Sequence, residues 1–281
     1  MTKVNEIVGA LKKYGCCKYY KFTKVDCQSI VTEIQSAINK NNVYLPQLPT
    51  KIDILKARTK KEMEEYQALM STRRISTKTL SKGEDVWRKK VPLVTIKDPL
   101  YNMKLIHHLV LNEEVSKIAS NFLGGPAKIT FIKVKKTYGN KNIFSSDQRY
   151  HHDDNSDNFI KVIIYLSNVE EGDGAFHYVK NSKADYSSGG YYISDSDVSS
   201  RYPKENILEF TGKAGSAIFA DTLGLHKAGI SSGKDRFALL VNYGLEREYD
   251  GHGKDQVIKK ELYESLSPNQ KKLCEFMEIK D

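Results

Sequence analysis

The sequence predicts a mainly β protein with flanking helices, an α+β chain built around a sandwich, jelly roll or small barrel. Three observations carry this reading. From Ala127 onward, short apolar runs recur with Gly-containing turns between them, the pattern of sandwiches and barrels. Phe159 to Val169 is dense in β-branched and aromatic residues, as a buried strand requires. Before Ala127 the apolar residues recur mostly at helical spacing instead.

The elements follow in order. Val4, Ile7, Val8 and Leu11 give one helical stripe, which Gly15 ends. Cys16 to Phe22 reads as a short strand. Asp26 is an N-cap for a helix over Cys27 to Asn39, with Ile30, Val31, Ile34 and Ile38 as its buried face. Pro46 and Pro49 mark a loop, Lys60 to Met70 a charged exposed helix, and Ser71 to Pro92 an irregular stretch anchored by Trp87. Leu100 to Leu111 and Asn112 to Leu123 read as two helices, the second capped by Asn112, before Gly124-Gly125-Pro126 breaks the chain. Strands are expected around Ile129 to Val134, at Phe159 to Val169 and Gly174 to Val179, and then at Ile207 to Phe210, Ala214 to Asp221, Leu225 to Ile230 and Arg236 to Leu245. Ser267 and Pro268 open a last helix. Ala184 to Pro203, with six Ser and four Tyr, reads either as a surface loop or as a lid over a pocket.

The chain of 281 residues, 40% hydrophobic and 28% charged, can build one large core. Its net charge of +9 is uneven. Residues 1–100 hold 20 Lys and Arg against 10 Asp and Glu, while the remaining 181 hold 24 against 25. Clusters such as Lys60-Lys61, Arg73-Arg74 and Arg88-Lys89-Lys90 fit a solvated surface, or an entrance for an acidic small molecule. Lacking the run and spacing of nucleic-acid motifs, they give no expectation of a nucleic-acid partner. Cys16, Cys17, Cys27 and Cys274 have neither zinc nor disulfide-framework spacing and read as reduced thiols in a cytoplasmic protein. There is no apolar run of membrane-spanning length, so no membrane association is expected.

The chemistry concentrates in Tyr150-His151-His152-Asp153-Asp154. On a strand, alternate side chains share a face, so either His151 with Asp153 or His152 with Asp154 presents an imidazole beside a carboxylate. A further imidazole, His226, follows 75 residues after His151, within Asp221-Thr222-Leu223-Gly224-Leu225-His226. Two His and one carboxylate form a facial triad that leaves positions open on iron(II). Arg236 opens a strand ten residues further on. Its planar guanidinium suits a bidentate grip on a carboxylate, and a buried charge calls for an anionic guest.

With those residues in view, Tyr150 to Val179 and Gly212 to Tyr243 resemble the phytanoyl-CoA dioxygenase family. Tyr150, His151, Asp153, Lys161, Tyr165-Leu166 and Val169 fall on its first pattern, and Asp221, Gly224, His226 and Arg236 on its second. One departure stands after Val179, where Lys180-Asn181-Ser182-Lys183 replaces the family's usual Pro-Gly-Ser-His turn. The resemblance covers roughly residues 127–245. It implies a double-stranded β-helix, a cupin-like jelly roll, and favours His151 with Asp153 over the interleaved pair.

It further implies Fe(II) held by His151, Asp153 and His226, with 2-oxoglutarate as co-substrate docked on Arg236, and O2 as oxidant. The expected reaction is hydroxylation of a small-molecule substrate with release of succinate and CO2, and the basic N-terminal region favours an anionic one. Residues 1–126 would form a helical region packed on the core and carrying specificity elements. Residues 127–250 would form the catalytic core, with the 184–203 insertion, and 251–281 a helical tail, all within one structural domain. Rival readings are a β-barrel hydrolase or isomerase with the same ligands, against which Arg236 argues, and a non-enzymatic binding protein on an oxygenase scaffold, against which the intact ligand set argues. Lys133, Lys135, Lys161 and Tyr165 are further candidates for contact with the co-substrate, and His177 for a supporting role.

Overall fold

The structure is a computed structural model that describes residues 3–19, 25–45, 83–89, 91–139, 146–153, 159–186, 193–231, 233–246 and 256–281. The expected helix at Lys60 to Met70, the basic pairs Lys60-Lys61 and Arg73-Arg74, Asp154 and His252 lie outside the described residues.

Helix α1 (Lys3–Tyr14) buries Ile7 and Leu11. Gly15 ends it in the left-handed region at φ 79°, where a side chain is disfavoured, and the chain turns into β1 (Cys16–Tyr19). Helix α2 (Cys27–Asn39) buries Ile30, Ile34 and Ile38 on one face. Its cap is Asp26, whose carboxylate accepts from the Gln28 and Ser29 amides, satisfying two of the four amides that every helix start leaves open. Strand β2 (Val43–Tyr44), the one-turn helix α3 (Glu84–Trp87) and strand β3 (Leu93–Ile96) follow. Trp87 is 1% exposed and anchors its turn as expected.

The helix expected over Leu100 to Leu111 is instead two single turns, α4 (Pro99–Asn102) and α5 (His107–Val110). Glu33 accepts from the Lys104 and Leu105 amides, drawing the chain out of helical register between them. Helix α6 (Glu113–Leu123) starts on Asn112 and ends at Gly124 in the left-handed region.

The remaining strands are β4 (Lys128–Thr137), β5 (Phe159–Tyr165), β6 (Phe176–Val179), β7 (Ile207–Phe210), β8 (Ala217–Ala220), β9 (His226–Ala228) and β10 (Arg236–Gly244). Between β6 and β7, helix α7 (Asp195–Arg201) occupies part of the serine-rich insertion. The tail holds β11 (Val257–Lys259), α8 (Lys260–Ser265), α9 (Pro268–Leu273) and β12 (Glu278–Lys280). Ser267 and Gln270 cap α9 reciprocally.

The strands form a mostly antiparallel jelly roll. A seven-stranded sheet has the order β1-β8-β5-β10-β4-β3-β2, and a three-stranded sheet the order β7-β6-β9. Three strands of the large sheet come from before residue 127, so the expected helical region also builds part of the barrel. Alternation along β10 sorts the side chains. Arg236, Ala238, Leu240 and Asn242 face a cavity. Leu239, Val241 and Tyr243 join the main core under α1, α2 and α6. A second apolar cluster, including Ile163, Tyr165, Phe176 and Tyr178, packs between the sheets.

Candidate metal centre

The segment Tyr150–Asp153 runs beside β9. His151 and His226 exchange both backbone hydrogen bonds, each at 3.0 Å. Residues paired this way across an antiparallel ladder carry their side chains on one face, and the two ring centroids lie 4.4 Å apart. Asp153, two residues on, returns to that face, its amide held by the Thr222 carbonyl at 2.9 Å. Its Oδ1 is 3.7 Å from His151 Nε2 and 3.6 Å from His226 Nε2. The three potential ligand atoms lie within 4.8 Å of one another.

Local sequence explains this placement. The Tyr178 hydroxyl donates to the Asp221 carbonyl at 2.8 Å, and the Gly224 amide donates to the same carbonyl at 3.0 Å. A Cβ on Gly224 would come within 2.0 Å of that hydroxyl, so the turn before His226 needs glycine. The Asp221 amide in turn donates to the Gly15 carbonyl at 2.8 Å, tying the turn to the end of α1. The Lys180-Asn181-Ser182-Lys183 stretch supports it from the other side. Ser182 Oγ donates to the Val179 carbonyl and accepts from the Leu225 amide, both at 2.7 Å.

The protonation pattern follows from the partners. His151 Nδ1 lies 2.7 Å from the Arg149 carbonyl, and His226 Nδ1 lies 3.0 Å from the Gly224 carbonyl. A carbonyl only accepts, so each Nδ1 carries a proton, and each Nε2 is the atom turned toward Asp153. Burial, aided by the neighbouring His226, lowers the His151 pKa to about 4 and keeps its ring neutral. Burial alone would raise the Asp153 pKa, but Lys161 and His226 outweigh it and hold the carboxyl well below its usual range. The two Nε2 atoms and a carboxylate oxygen thus face one another. That donor set fits a divalent cation, with Nδ1 of each ring already tied down.

Sequence alternation left two interleaved pairs open. His152 turns away from the cluster; its Nδ1 donates to the Leu223 carbonyl and its ring meets Tyr186 edge-on at 5.6 Å. His107 is held by the Leu100 carbonyl at 2.9 Å. His177 sits on the other face of the small sheet, beside Tyr150 and Glu209.

The triad opens on a cavity of about 190 Å³ between the sheets. Its floor is the inward face of β5, β10 and β4. Arg236 lies on it, 4% exposed, and its Nε has no hydrogen-bond partner among the described residues. Burial lowers the Arg236 pKa, against the pull of Tyr165 and Asp147. Lys135 faces the same cavity and pairs with Asp147 at 3.3 Å. Burial pushes its pKa down to about 8. Lys133 and Lys161 also line the cavity, whereas the Tyr165 hydroxyl is consumed by structure, donating to the Phe210 carbonyl and accepting from the Phe176 amide at 2.8 Å each. Asp147 was not foreseen. It sits on a single 3₁₀ turn (Ser146–Gln148), and no periodicity in the sequence marks it.

A jelly roll with this donor set defines a class, the cupin-like iron enzymes that use two imidazoles and one carboxylate. Within that class the chain belongs to the phytanoyl-CoA dioxygenase (PhyH) family, whose model matches residues 30–238. The family uses iron(II), 2-oxoglutarate and dioxygen. Solved structures share the fold at low identity. SnoN, an epimerase crystallised with Fe3+, alpha ketoglutarate and nogalamycin RO, has TM-score 0.61 and 12% identity, over 90% of this chain and 92% of its own. SnoK, a carbocyclase from nogalamycin biosynthesis, has TM-score 0.55 and 14% identity, over 87% and 84%. HygX from Streptomyces hygroscopicus, crystallised with nickel, 2-oxoglutarate and hygromycin B, has TM-score 0.54 and 12% identity, over 87% of each chain. A search of curated protein sequences finds no significant match. Among the described residues, no helix is long and apolar enough to cross a membrane.

Proposed function

We propose that this protein is an iron(II)- and 2-oxoglutarate-dependent dioxygenase that hydroxylates a small-molecule substrate. The observation that carries the proposal is one cavity with two complementary ends: two imidazole nitrogens and a carboxylate oxygen converging at the triad, and a buried arginine whose Nε has no hydrogen-bond partner among the described residues. His151 Nε2, His226 Nε2 and Asp153 Oδ1 would hold the iron. Arg236, with Lys135 beside it, would take the distal carboxylate of 2-oxoglutarate, because among the described residues these two buried cations share the Asp147 carboxylate, which favours a further anion. When bound, the iron supplies oxidation of an unactivated C–H bond by dioxygen, with 2-oxoglutarate as the co-reductant that leaves as succinate and CO2.

The protein's own part is to position and to exclude water. Tyr165, Phe176, Ile163 and Leu240 give the cavity apolar walls, which strengthen every charge interaction inside it. Ile193 supports the triad strand, its amide donating to the Tyr150 carbonyl at 2.7 Å. Val198 of α7 packs with Tyr150 and Leu225 in a small apolar cluster. The described part of the serine-rich insertion therefore packs beside the triad strand. The four cysteines are free thiols, in keeping with a cytoplasmic setting.

The test is succinate release that requires both iron(II) and 2-oxoglutarate and rises with a substrate drawn from a panel that includes anionic small molecules. The SnoN and SnoK descriptions of epimerisation and carbocyclisation support a second outcome on the same site, in which no oxygen stays in the product. Turnover under ¹⁸O₂ separates the two. Label in the product supports hydroxylation, and succinate formed with an unlabelled, rearranged product replaces it.

A further inference from the structure

Each of the three triad side chains has a second polar atom that does not face the cluster. For the two imidazoles it is Nδ1, held by the Arg149 and Gly224 carbonyls. For Asp153 it is Oδ2, and here the partner is a charged side chain from another sheet, the Lys161 ammonium at 2.5 Å. Lys161 lies on β5, opposite Asn242 of β10 and Ala220 of β8, and its side chain is 16% exposed. The two carboxylate oxygens are therefore assigned different tasks by the fold. Oδ1 faces both imidazoles, and Oδ2 faces a cation.

We propose that Lys161 is a positioning residue that keeps Asp153 a one-oxygen ligand. The inference rests on the reading of His151, Asp153 and His226 as the iron site. A carboxylate can bind a metal through one oxygen or both, and the choice matters here. With one oxygen used, a two-His, one-carboxylate site leaves room for a chelating keto acid and for dioxygen together. With both used, the keto acid takes what remains. A charge-assisted bond from an ammonium is among the stronger ways to retain an oxygen. Lys161 makes it from a strand locked on both sides by sheet pairing. The wall bearing Lys161 and the edge bearing Asp153 belong to different sheets, so the contact also fixes the distance across the cavity mouth.

The experiment is an anaerobic titration of the metal-free full chain with Co(II), read by visible absorption, whose intensity reports coordination number. It is then repeated with 2-oxoglutarate added. Wild type, Lys161→Met, Lys161→Gln and Lys161→Arg are compared, with thermal unfolding of each metal-free protein alongside. Lys161→Met is expected to weaken Co(II) binding about 10- to 100-fold, the range seen when a partner of a ligand is removed. It should also alter the Co(II) spectrum and shrink the change that 2-oxoglutarate produces. Lys161→Arg should restore the spectrum and the keto acid response. Lys161→Gln, which keeps a neutral donor, should fall between and carries the comparison if the Met variant does not fold. Wild-type affinity, spectrum and keto acid response in Lys161→Met, or in Lys161→Gln if that variant carries the comparison, would overturn the proposal. So would an Arg variant that behaves as the Met variant does. If wild type itself binds no Co(II), the iron-site reading falls first and this inference falls with it.

Discussion

Lys135 and Lys136 are consecutive on one strand and equally buried, at 6% and 5% exposure, yet they face two different kinds of surroundings. Lys136 points into a set that closes on itself. Its ammonium bonds Glu84 at 2.6 Å and Gln35 at 2.9 Å and pairs with Asp235 at 3.3 Å. Asp235 in turn pairs with Arg88 at 2.5 Å, and Gln35 Nε2 donates to Glu84 at 2.5 Å. Lys135 points into the cavity, where it meets Asp147 at 3.3 Å and shares its surroundings with Arg236. At the first site, charge and hydrogen bonding are matched within the protein. At the second, among the described residues, Arg236 and Lys135 share Asp147 at one end, and two imidazole nitrogens and a carboxylate oxygen converge at the other. Matched buried charge fastens the first turn of α3 to the barrel; unmatched buried charge marks where a guest belongs.

The largest expected effect tests the open set. His226→Ala removes one of the three proposed iron ligands. It should weaken iron binding by more than about 100-fold, since loss of a ligand exceeds loss of a partner of a ligand. Succinate release should fall to background, and turnover retained in that variant would break the contrast.

Lys136→Met tests the closed set. It strands Glu84 and Asp235 without their shared partner and should cost about 3 kcal/mol of stability, in the range for breaking a buried ion pair. Denaturant unfolding measures this, and 2-oxoglutarate binding to the folded fraction should be unchanged.

Arg236→Met is its mirror. Losing one side of a buried charge pair with the co-substrate should raise the 2-oxoglutarate requirement roughly 100-fold. Stability without ligand should move by less than about 1 kcal/mol, because Lys135 still faces Asp147. A large loss of stability with an unchanged 2-oxoglutarate requirement would place Arg236 in the closed class instead.

The smallest effect concerns His177, in a third set with Tyr150, Glu209 and Lys227. Burial first, then Lys227, lowers its pKa from 6.5 to about 4. Between those values the unfolded chain binds a proton that the folded chain does not, so stability falls as pH drops from about 6.5 toward about 4. The stability advantage of wild type over His177→Gln should therefore shrink by about 1–2 kcal/mol across that window, less than the roughly 3 kcal/mol of the full shift, because solvent reaches a side chain that is 21% exposed. Thermal unfolding at a series of pH values reads it, and a constant difference would show that His177 is not held neutral.

Much of the frame was legible along the chain. Asp26, Asn112 and Ser267 begin helices where their side chains can take up open amides, and such caps are local. The strand Arg236–Gly244, expected over Arg236 to Leu245, was legible as an apolar run set off by Gly-containing turns. The short strand Leu93–Ile96, though flanked by Pro92 and Asp98-Pro99, was not singled out, because four residues carry too little periodicity. Nor was the break between α4 and α5, which depends on Glu33 from a distant helix.

The sequence by itself determined that an imidazole and a carboxylate stand two residues apart, as His151 with Asp153 or His152 with Asp154, that a further imidazole follows a glycine turn, and that an arginine opens the next strand. Period-two alternation fixes which side chains travel together, and it does so from neighbours alone. Only the tertiary structure decided which face looks inward. The register His151 to His226 and the sheet pairing of β4, β5 and β10 bring His151, Asp153, Lys161, Lys135 and Arg236 around one cavity. Register is a long-range choice, made by the packing of two sheets whose strands lie far apart along the chain.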